Sequence, residues 1–333
     1  MLNKNLKLNP KFFDNDCEKV AIRDGFGAGL LRAGENDEKV VALSADLSYS
    51  MMMSSFKEKF PARYVEVGVA EQNMATLASG LANYGKIPFM GSFAVFSPGR
   101  NWEQIRTTIA LNNLPVKIVG GHAGVGVGPD GATHQALEDI ALMRVLPNMT
   151  VVVPCDSKEA EKAAIAAAKT NGSVYIRITR QKSPVLTTEE TPFEIGKANL
   201  VWQAENPQIG IIACGPSVAD AVSAAKELET EGIFVSVLNN HTIKPLHKNS
   251  IIDLAKKTKA IVTVEDHQIA GGMGSAVAEL LAENFPTTIE FVGIKDEFGQ
   301  SGTQEDLYKH YGLDAQSIKT AVKKTLKSIQ KDL

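Results

Sequence analysis

Short apolar runs rich in β-branched residues alternate with helical segments along nearly all of the 333-residue chain. Such runs are typical of strands buried on both faces of a parallel sheet, with the intervening helices covering the two faces. The first series contains the runs KVVALSAD, KIPFMGSF, PVKIVGG and SVYIRIT, and a second series follows it. We therefore predict an α/β fold with two doubly wound, mostly parallel domains.

The break between the two series is the stretch QKSPVLTTEETPFEI at residues 181–195, which contains Pro, Thr and Glu without sustained periodicity. We interpret it as a linker between domains. It separates a first domain at residues 17–180 from a smaller α/β C-terminal domain at residues 196–333, and residues 1–16 are an N-terminal extension.

The first helix is predicted over residues 18–33, so that Arg23 lies on it. Asp16 is suited to cap its start and Gly34 to end it, because Asp accepts amide hydrogen bonds at helix starts and Gly adopts the left-handed conformation at helix ends.

The composition is that of an ordinary globular protein, with 44% hydrophobic and 22% charged residues. A net charge of −3 shows no bias towards nucleic acid or membrane surfaces. The three cysteines are widely spaced, so they indicate neither a disulfide framework nor a zinc site. The first ten residues lack the apolar core of a signal peptide, and we expect a cytoplasmic enzyme or enzyme subunit.

Residues with distinctive chemistry follow the predicted strands of the first domain. Ligands of open parallel sheets bind at the carboxyl ends of the strands, so these residues are candidates for one site. They are Asp46, Glu71, Phe93, Phe96, His122 and Arg180.

Glu71 stands in the first turn of a helix made of small residues, within VEVGVAEQNMATLASGLA. An acidic residue there is favourable to the helix dipole and needs no catalytic role. Small apolar neighbours would also desolvate the carboxylate and enable it to share a proton.

Phe93 and Phe96, three residues apart, are consistent with core packing or with stacking on a flat heteroaromatic ring.

The glycine-rich stretch HAGVGVGPDGATHQ brings His122, Asp130 and His134 into one loop. A metal site is one interpretation, but the spacing matches none of the usual ligand patterns. Each histidine could instead satisfy a local hydrogen bond. Together the three residues favour a polyhydroxylated ligand, and Arg23 and Arg180 could bind its phosphate, since guanidinium groups form paired hydrogen bonds to phosphate.

Three stretches resemble the pyrimidine-binding domain of the transketolase family: VEVGVAEQNMATLASGLA, GSFAVFSPGRNWEQIR and HAGVGVGPDGATHQALEDIALMRVLPNMTVVVPCD. TVEDHQIAGGMGSAVAELLAE and GIKDEFGQSGTQEDLYKHYGL resemble its last domain. The resemblance covers roughly residues 17–320 and implies a thiamine diphosphate enzyme with a pyrimidine-binding sheet in its first domain.

The resemblance also implies roles for individual residues. Glu71 matches the glutamate that hydrogen-bonds a pyrimidine nitrogen of thiamine diphosphate, so that the cofactor can deprotonate its own thiazolium carbon. Phe93 and Phe96 match aromatic residues that hold the pyrimidine ring, and Asp46 matches an aspartate near the cofactor.

For the substrate, His122, Asp130 and His134 match residues that contact sugar hydroxyls, and Arg23, Ser50 and Arg180 match a phosphate-binding group. The expected catalytic residues are Glu71, His122 and His134. No metal ligand is expected from this chain.

Two departures from the family pattern stand out. The family often has another aromatic residue three positions past the second Phe, where this chain has Gly99. The sequence also has no Gly-Asp-Gly followed by the asparagines that hold Mg²⁺ and the diphosphate. We therefore expect the C-terminal half of a split transketolase, with a partner subunit that carries the missing domain in a two-plus-two assembly.

Three other identities remain open on the sequence alone. The β subunit of a 2-oxoacid dehydrogenase has an equivalent glutamate, and deoxyxylulose-phosphate synthase has a similar Asp-Gly-x-Thr-His element. A non-catalytic assembly subunit would have the same fold. His122, the GPDGATHQ stretch and Arg180 favour a sugar phosphate over a 2-oxoacid.

Overall fold

The computed structural model describes residues 1–331, and it is an α/β structure with mostly parallel sheets in two domains, as predicted. Its strands are β1 (Lys19–Ala21), β2 (Val40–Ser44), β3 (Tyr64–Glu66), β4 (Ile87–Phe93), β5 (Lys117–Gly121), β6 (Met149–Val152), β7 (Ser173–Arg177), β8 (Lys182–Pro184), β9 (Asn199–Trp202), β10 (Ile209–Ala213), β11 (Val235–Asn239), β12 (Thr242–Lys244), β13 (Ala260–Gln268) and β14 (Ile289–Ile294).

The helices cover the sheets. They are α1 (Ile22–Asn36), α2 (Ser54–Lys59), α3 (Glu71–Asn83), α4 (Trp102–Gln104, continued by a π-helix at Ile105–Ala110), α5 (Asp139–Arg144), α6 (Ser157–Lys169), α7 (Ser217–Thr230), α8 (Lys248–Lys257), α9 (Met273–Asn284), α10 (Gln304–His310) and α11 (Ala315–Lys331). No helix within residues 1–331 has the length and hydropathy needed to cross a membrane.

The first sheet has seven strands in the order β12-β6-β7-β5-β4-β2-β3, and only β12 is antiparallel to its neighbour. The second has five strands in the order β14-β13-β10-β11-β9, in which β9 is antiparallel. Five of these strands, β2, β5, β7, β10 and β11, are completely buried, as their continuous apolar runs predict.

The prediction for the first helix is wrong at both ends. Lys19–Ala21 is a strand that pairs antiparallel with Lys182–Pro184 in the linker, so α1 begins at Ile22 and continues to Asn36. Pairing with a segment some 160 residues away overrides a local capping signal. Arg23 nevertheless lies on this helix, in its first turn.

Contacts cross the boundary between the two series, among them the pairing of β12. Strand β12 follows β11 in the chain, yet it pairs with β6 and so lies at an edge of the first sheet. The N-terminal extension packs on the second domain, where the Asn3 amide donates to the Val201 carbonyl at 3.0 Å and Phe13 packs edge-on against Trp202. The two domains therefore share a broad contact.

Candidate active site

Apart from Arg23, which lies on α1, the predicted site residues follow five strands of the first sheet. Four of these strands, β7, β5, β4 and β2, are direct neighbours in that order, and β3 is the next strand along. Parallel strands end on the same side, so the segments that follow them meet at one edge of the sheet.

Glu71 is the first residue of α3, and only 1% of its surface is exposed. Its Oε2 accepts a hydrogen bond from Arg100 Nη1 at 2.7 Å, while Ser92 Oγ lies 3.5 Å from Oε1. Asn101 Nδ2 fixes the start of α3 by donating to the Glu71 carbonyl at 3.0 Å. The carboxylate thus has one oxygen in an ion pair and one with only a long contact.

Arg100 is the residue that the sequence interpretation missed. We expected Glu71 among small apolar side chains, and the structure adds a guanidinium group whose carbon lies 4.8 Å from the centre of the Phe96 ring. In the sequence, the only sign that Arg100 could reach Glu71 was its position four residues after Phe96.

At Gly99, where the family often has an aromatic residue, a Cβ atom would lie 2.0 Å from the Val95 carbonyl oxygen, so no side chain fits there.

Phe93 and Phe96 form an aromatic wall beside Glu71. Their rings are nearly parallel, inclined by 16° with centroids 6.1 Å apart. The His122 ring stacks on Phe93 at 3.8 Å, and the His134 ring lies edge-on to Phe96 at 5.5 Å. The two phenylalanines and the two loop histidines are therefore in one cluster.

His122 is buried and neutral. Burial, with the nearby positive charges of Arg23 and Arg180, lowers the pKa of His122 from 6.5 to about 3. Arg23 can only donate, and its Nη1 lies 3.4 Å from His122 Nε2, so Nε2 is the acceptor and Nδ1 carries the proton. Within the described residues this buried Nδ1 has no hydrogen-bond partner. It is a buried donor whose ring is oriented by the contact of Nε2 with Arg23.

The backbone of His122 is in the left-handed region, with φ of 52°. A non-glycine residue is uncommon there, and such conformations are concentrated at functional sites at a cost of about 1–3 kcal/mol.

The remaining substrate-site candidates are distributed around His122. Arg23 also donates to the Ser50 carbonyl at 3.1 Å, so Ser50 contributes a backbone contact. Arg180 donates to Asp130 Oδ2 and to the Val127 carbonyl, both at 3.1 Å. Both arginines are half-buried, and both are close enough to His122 to affect its protonation.

Asp46 lies just past the end of β2 and is exposed. Its backbone amide donates to Glu66 Oε1 at 2.7 Å, and its φ is 61°. The contacts of the described residues do not join its side chain to the aromatic cluster, so its assignment to the cofactor stays a prediction.

The residues around Glu71 fit one end of the cofactor that the resemblance implies. A flat pyrimidine ring needs an apolar wall and a carboxylate acceptor, and Phe93, Phe96 and Glu71 Oε1 offer both. Among residues 1–331 there is no group of three or more His, Cys, Asp or Glu that could hold a metal ion.

Comparison with known proteins identifies both domains. Residues 18–185 match the family model for the transketolase pyrimidine-binding domain, and residues 196–318 match that for the transketolase C-terminal domain. A chain of Methanocaldococcus jannaschii described as a transketolase C-terminal section is 43% identical over 310 residues, which are 92% of this chain and 96% of that one. The 6-deoxy-6-sulfo-D-fructose transketolase subunit of Clostridium sp. (strain MSTE9) is 39% identical, with 92% and 94% covered.

Longer relatives and solved structures also match. Rat transketolase is 36% identical over 92% of this chain, which spans only 49% of the rat protein. An inactive β4 tetramer of a split-gene transketolase superimposes with a TM-score of 0.86 at 42% identity, with 92% of this chain and 99% of that one covered. This chain belongs to the transketolase family and contains its pyrimidine-binding and C-terminal domains.

Proposed function

We propose that this chain is a subunit of a thiamine-diphosphate-dependent transketolase, which moves a two-carbon ketol unit from a ketose phosphate to an aldose phosphate. Membership of the family implies dependence on thiamine diphosphate. The observation that carries the proposal is the buried Glu71 carboxylate, at the same sheet edge as the Phe93–Phe96 wall and the His122–Arg23 pair.

At the cofactor end, the bound thiamine diphosphate supplies a carbon acid that becomes a nucleophile when it loses its proton. Glu71 is the group that shares a proton with the pyrimidine ring, and Phe93 and Phe96 hold that ring against it. Burial of Glu71 excludes water, which strengthens a hydrogen bond to the carboxylate. Arg100 occupies the other carboxylate oxygen and so leaves Oε1 to the ring.

At the substrate end, the His122 Nδ1–H donates to a sugar hydroxyl, because its other ring nitrogen is occupied by Arg23. Asp130 and His134 contact further hydroxyls from the same loop. Arg23 and Arg180 bind the sugar phosphate, with the Ser50 segment beside Arg23. Neutral His122 adds no charge between the two arginines, and their guanidinium groups, of which that of Arg180 is paired with Asp130, are the donors offered to a phosphate.

The diphosphate and its Mg²⁺ are held by a partner subunit. In support, a relative described as a transketolase C-terminal section and one described as a transketolase subunit are matched over 96% and 94% of their own length, and a β4 tetramer of a related split-gene protein is described as inactive. We infer that another chain covers the exposed Val69, two residues before Glu71, and the exposed Leu77 on α3. We infer a two-plus-two assembly with the active site between unlike subunits.

The partner requirement is tested by assaying the purified chain with thiamine diphosphate, Mg²⁺ and fructose 6-phosphate plus an aldose phosphate acceptor. The expected result is no turnover alone and turnover after addition of the partner chain. Robust turnover by the chain alone would overturn the split-subunit proposal.

The donor sugar is tested separately, since one relative is named for 6-deoxy-6-sulfo-D-fructose and another, 36% identical, for apulose-4-phosphate. A reconstituted complex should prefer ketose phosphates over pyruvate as donor. Preference for pyruvate would support a 2-oxoacid dehydrogenase or deoxyxylulose-phosphate-synthase activity. Failure to bind cofactor at all, in wild type as in Glu71→Ala, would support a non-catalytic assembly subunit.

A further inference from the structure

The loop that contains the candidate sugar-binding residues is held by the second domain. We call residues 122–135 the glycine loop. Its first residues are fixed within the first domain, where the Ala123 amide donates to the Ile178 carbonyl at 3.3 Å and the Gly124 amide donates to the Ala136 carbonyl at 2.9 Å. Its middle rests on Asp266, which lies near the end of β13, and on the segment 299–302.

Asp266 makes the most direct of these contacts. Its Oδ1 accepts from the Val125 amide at 2.9 Å, and its Oδ2 accepts from the Tyr308 hydroxyl at 3.1 Å. Asp266 is 1% exposed, and its own carbonyl accepts from Arg177 Nη2 at 2.8 Å. The carboxylate is therefore rigidly held and joins α10 of the second domain to the glycine loop.

The glycines of the loop are needed for this close approach. A Cβ atom at Gly124 would lie 2.1 Å from Asp266 Oδ2, and one at Gly131 would lie 2.6 Å from Ser301 Oγ. Both have positive φ, 82° and 73°. Gln135 adds a hydrogen bond from its Nε2 to the Gln300 carbonyl at 3.0 Å. Gly124 and Gly131 are thus explained by close contact with the second domain. A phosphate-binding role for the loop is not needed to account for them.

We propose that Asp266 is a positioning residue: by holding the Val125 amide it fixes the glycine loop in the conformation that places His122, Asp130 and His134 for the sugar. The second domain contributes to substrate binding through this contact without touching substrate itself. The consequence for sugar binding rests on the proposed function. The effect on the order of the loop does not depend on it.

The test uses the full chain and the variant Asp266→Ala. Loss of the acceptor leaves a buried amide unpaired, and amide hydrogen exchange in the glycine loop should become about 10- to 100-fold faster. The matched control is Glu265→Ala. Glu265 is an equally buried neighbour whose carboxylate accepts from the Met273 and Gly274 amides of α9 and does not contact the loop. Its loss should accelerate exchange in α9 alone.

In the complex reconstituted with the partner subunit, Asp266→Ala should raise the KM for fructose 6-phosphate about tenfold and leave thiamine diphosphate affinity unchanged. Asp266→Asn retains an acceptor oxygen for the Val125 amide and should restore most of the affinity. A merely structural role would lower the amount of folded enzyme and would leave KM unaltered. Unchanged KM with a loosened loop would overturn the link to the sugar.

Unchanged exchange of the glycine loop in a folded Asp266→Ala protein would overturn the positioning role itself. If that variant does not fold, Tyr308→Phe removes only the hydrogen bond to Oδ2 and should give a smaller acceleration in the same peptide; no acceleration would count against the proposal. A wild-type complex without sugar-phosphate turnover would refute the proposed function, while the exchange result would still decide the role of Asp266.

Discussion

Two carboxylates within residues 1–331, Glu71 and Asp139, are almost completely buried and paired with an arginine, and their surroundings are opposite. Glu71 and Asp139 are both 1% exposed at the side chain. Arg100, which pairs with Glu71 at 2.7 Å, is 48% exposed, whereas Arg177, which pairs with Asp139 at 2.8 Å, is 2% exposed.

We call Asp139–Arg177 the closed pair and Glu71–Arg100 the open pair. The closed pair forms almost all of its hydrogen bonds within the protein. Arg177 also donates to the Ala136 and Asp266 carbonyls, and the Tyr175 hydroxyl donates to Asp139 at 2.7 Å. The pair thus ties the first sheet to the second domain. The open pair has an arginine that water and ligands can reach. The difference indicates that Asp139–Arg177 serves architecture, whereas Glu71–Arg100 leaves Glu71 Oε1 with only a long contact.

The largest expected effect comes from removing the open carboxylate. In the reconstituted complex, Glu71→Gln should slow exchange of the thiazolium proton of thiamine diphosphate by about 10²- to 10⁴-fold, because Gln cannot share a proton with the ring. The exchange is followed by NMR in D₂O. Folding should be unaffected. Glu103→Gln, an exposed glutamate on α4, is the control and should exchange at the wild-type rate.

If thiamine diphosphate in the Glu71→Gln complex exchanged its thiazolium proton at the wild-type rate, the carboxylate would have no role in cofactor activation. The open pair would then be an unusual but purely structural ion pair.

The closed pair gives the next largest effect. Arg177→Met leaves Asp139 buried without its cation and should lower the free energy of unfolding by about 3–5 kcal/mol. Arg100→Met should cost about 1 kcal/mol, because water replaces the half-exposed guanidinium group. Urea unfolding at pH 7 measures both. Similar losses for the two variants would abolish the distinction between an open and a closed pair.

The strands and the position of Glu71 can be predicted from the sequence, whereas the side-chain contacts that distinguish the two ion pairs cannot. Continuous apolar runs predict the parallel strands, and the position of Glu71 after one of them indicates a site at the sheet edge. Local patterns cannot predict that Arg100 turns back to Glu71, since that depends on the path of the segment after Phe96. Nor can they predict that Asp266, more than 130 residues beyond Val125, holds the glycine loop.

The same limit explains the error at the start of α1 and the absence of a prediction for β12. The start of α1 and the position of β12 are decided by pairing with distant segments, Lys182–Pro184 for the strand before α1 and Met149–Val152 for β12. Local propensity is a weak predictor where such pairing competes with it.

The substrate end should show an intermediate effect. Arg180→Ala removes a cation from the proposed phosphate site and should raise the KM for fructose 6-phosphate about 10- to 100-fold, with a much smaller change for an unphosphorylated ketose. Steady-state kinetics of the complex measure both. Lys182→Ala, an exposed cation two residues further on, is the control. Equal effects on both sugars would show that Arg180 does not bind the phosphate.

The smallest effect concerns a buried cation outside both pairs. Lys117 is completely buried in β5, and its Nζ donates to the Thr170 and Gly172 carbonyls at 2.8 Å. Burial lowers the pKa of Lys117 from 10.5 to about 7. Between these two values the unfolded chain binds a proton that the folded chain does not, so this lysine makes stability rise with pH, by at most about 1.4 kcal/mol per pH unit.

Replacement by methionine should remove that dependence. From pH 7.5 to 8.5 the free energy of unfolding of the wild type should rise by about 1 kcal/mol relative to Lys117→Met. Lys169→Met, at an exposed position on α6, should track the wild type. A pH-independent difference between Lys117→Met and wild type would mean that the two carbonyls keep the ammonium group charged at neutral pH. A buried cation would then need no carboxylate partner, and the ion pair of Arg177 would have to be explained by the joining of the domains alone.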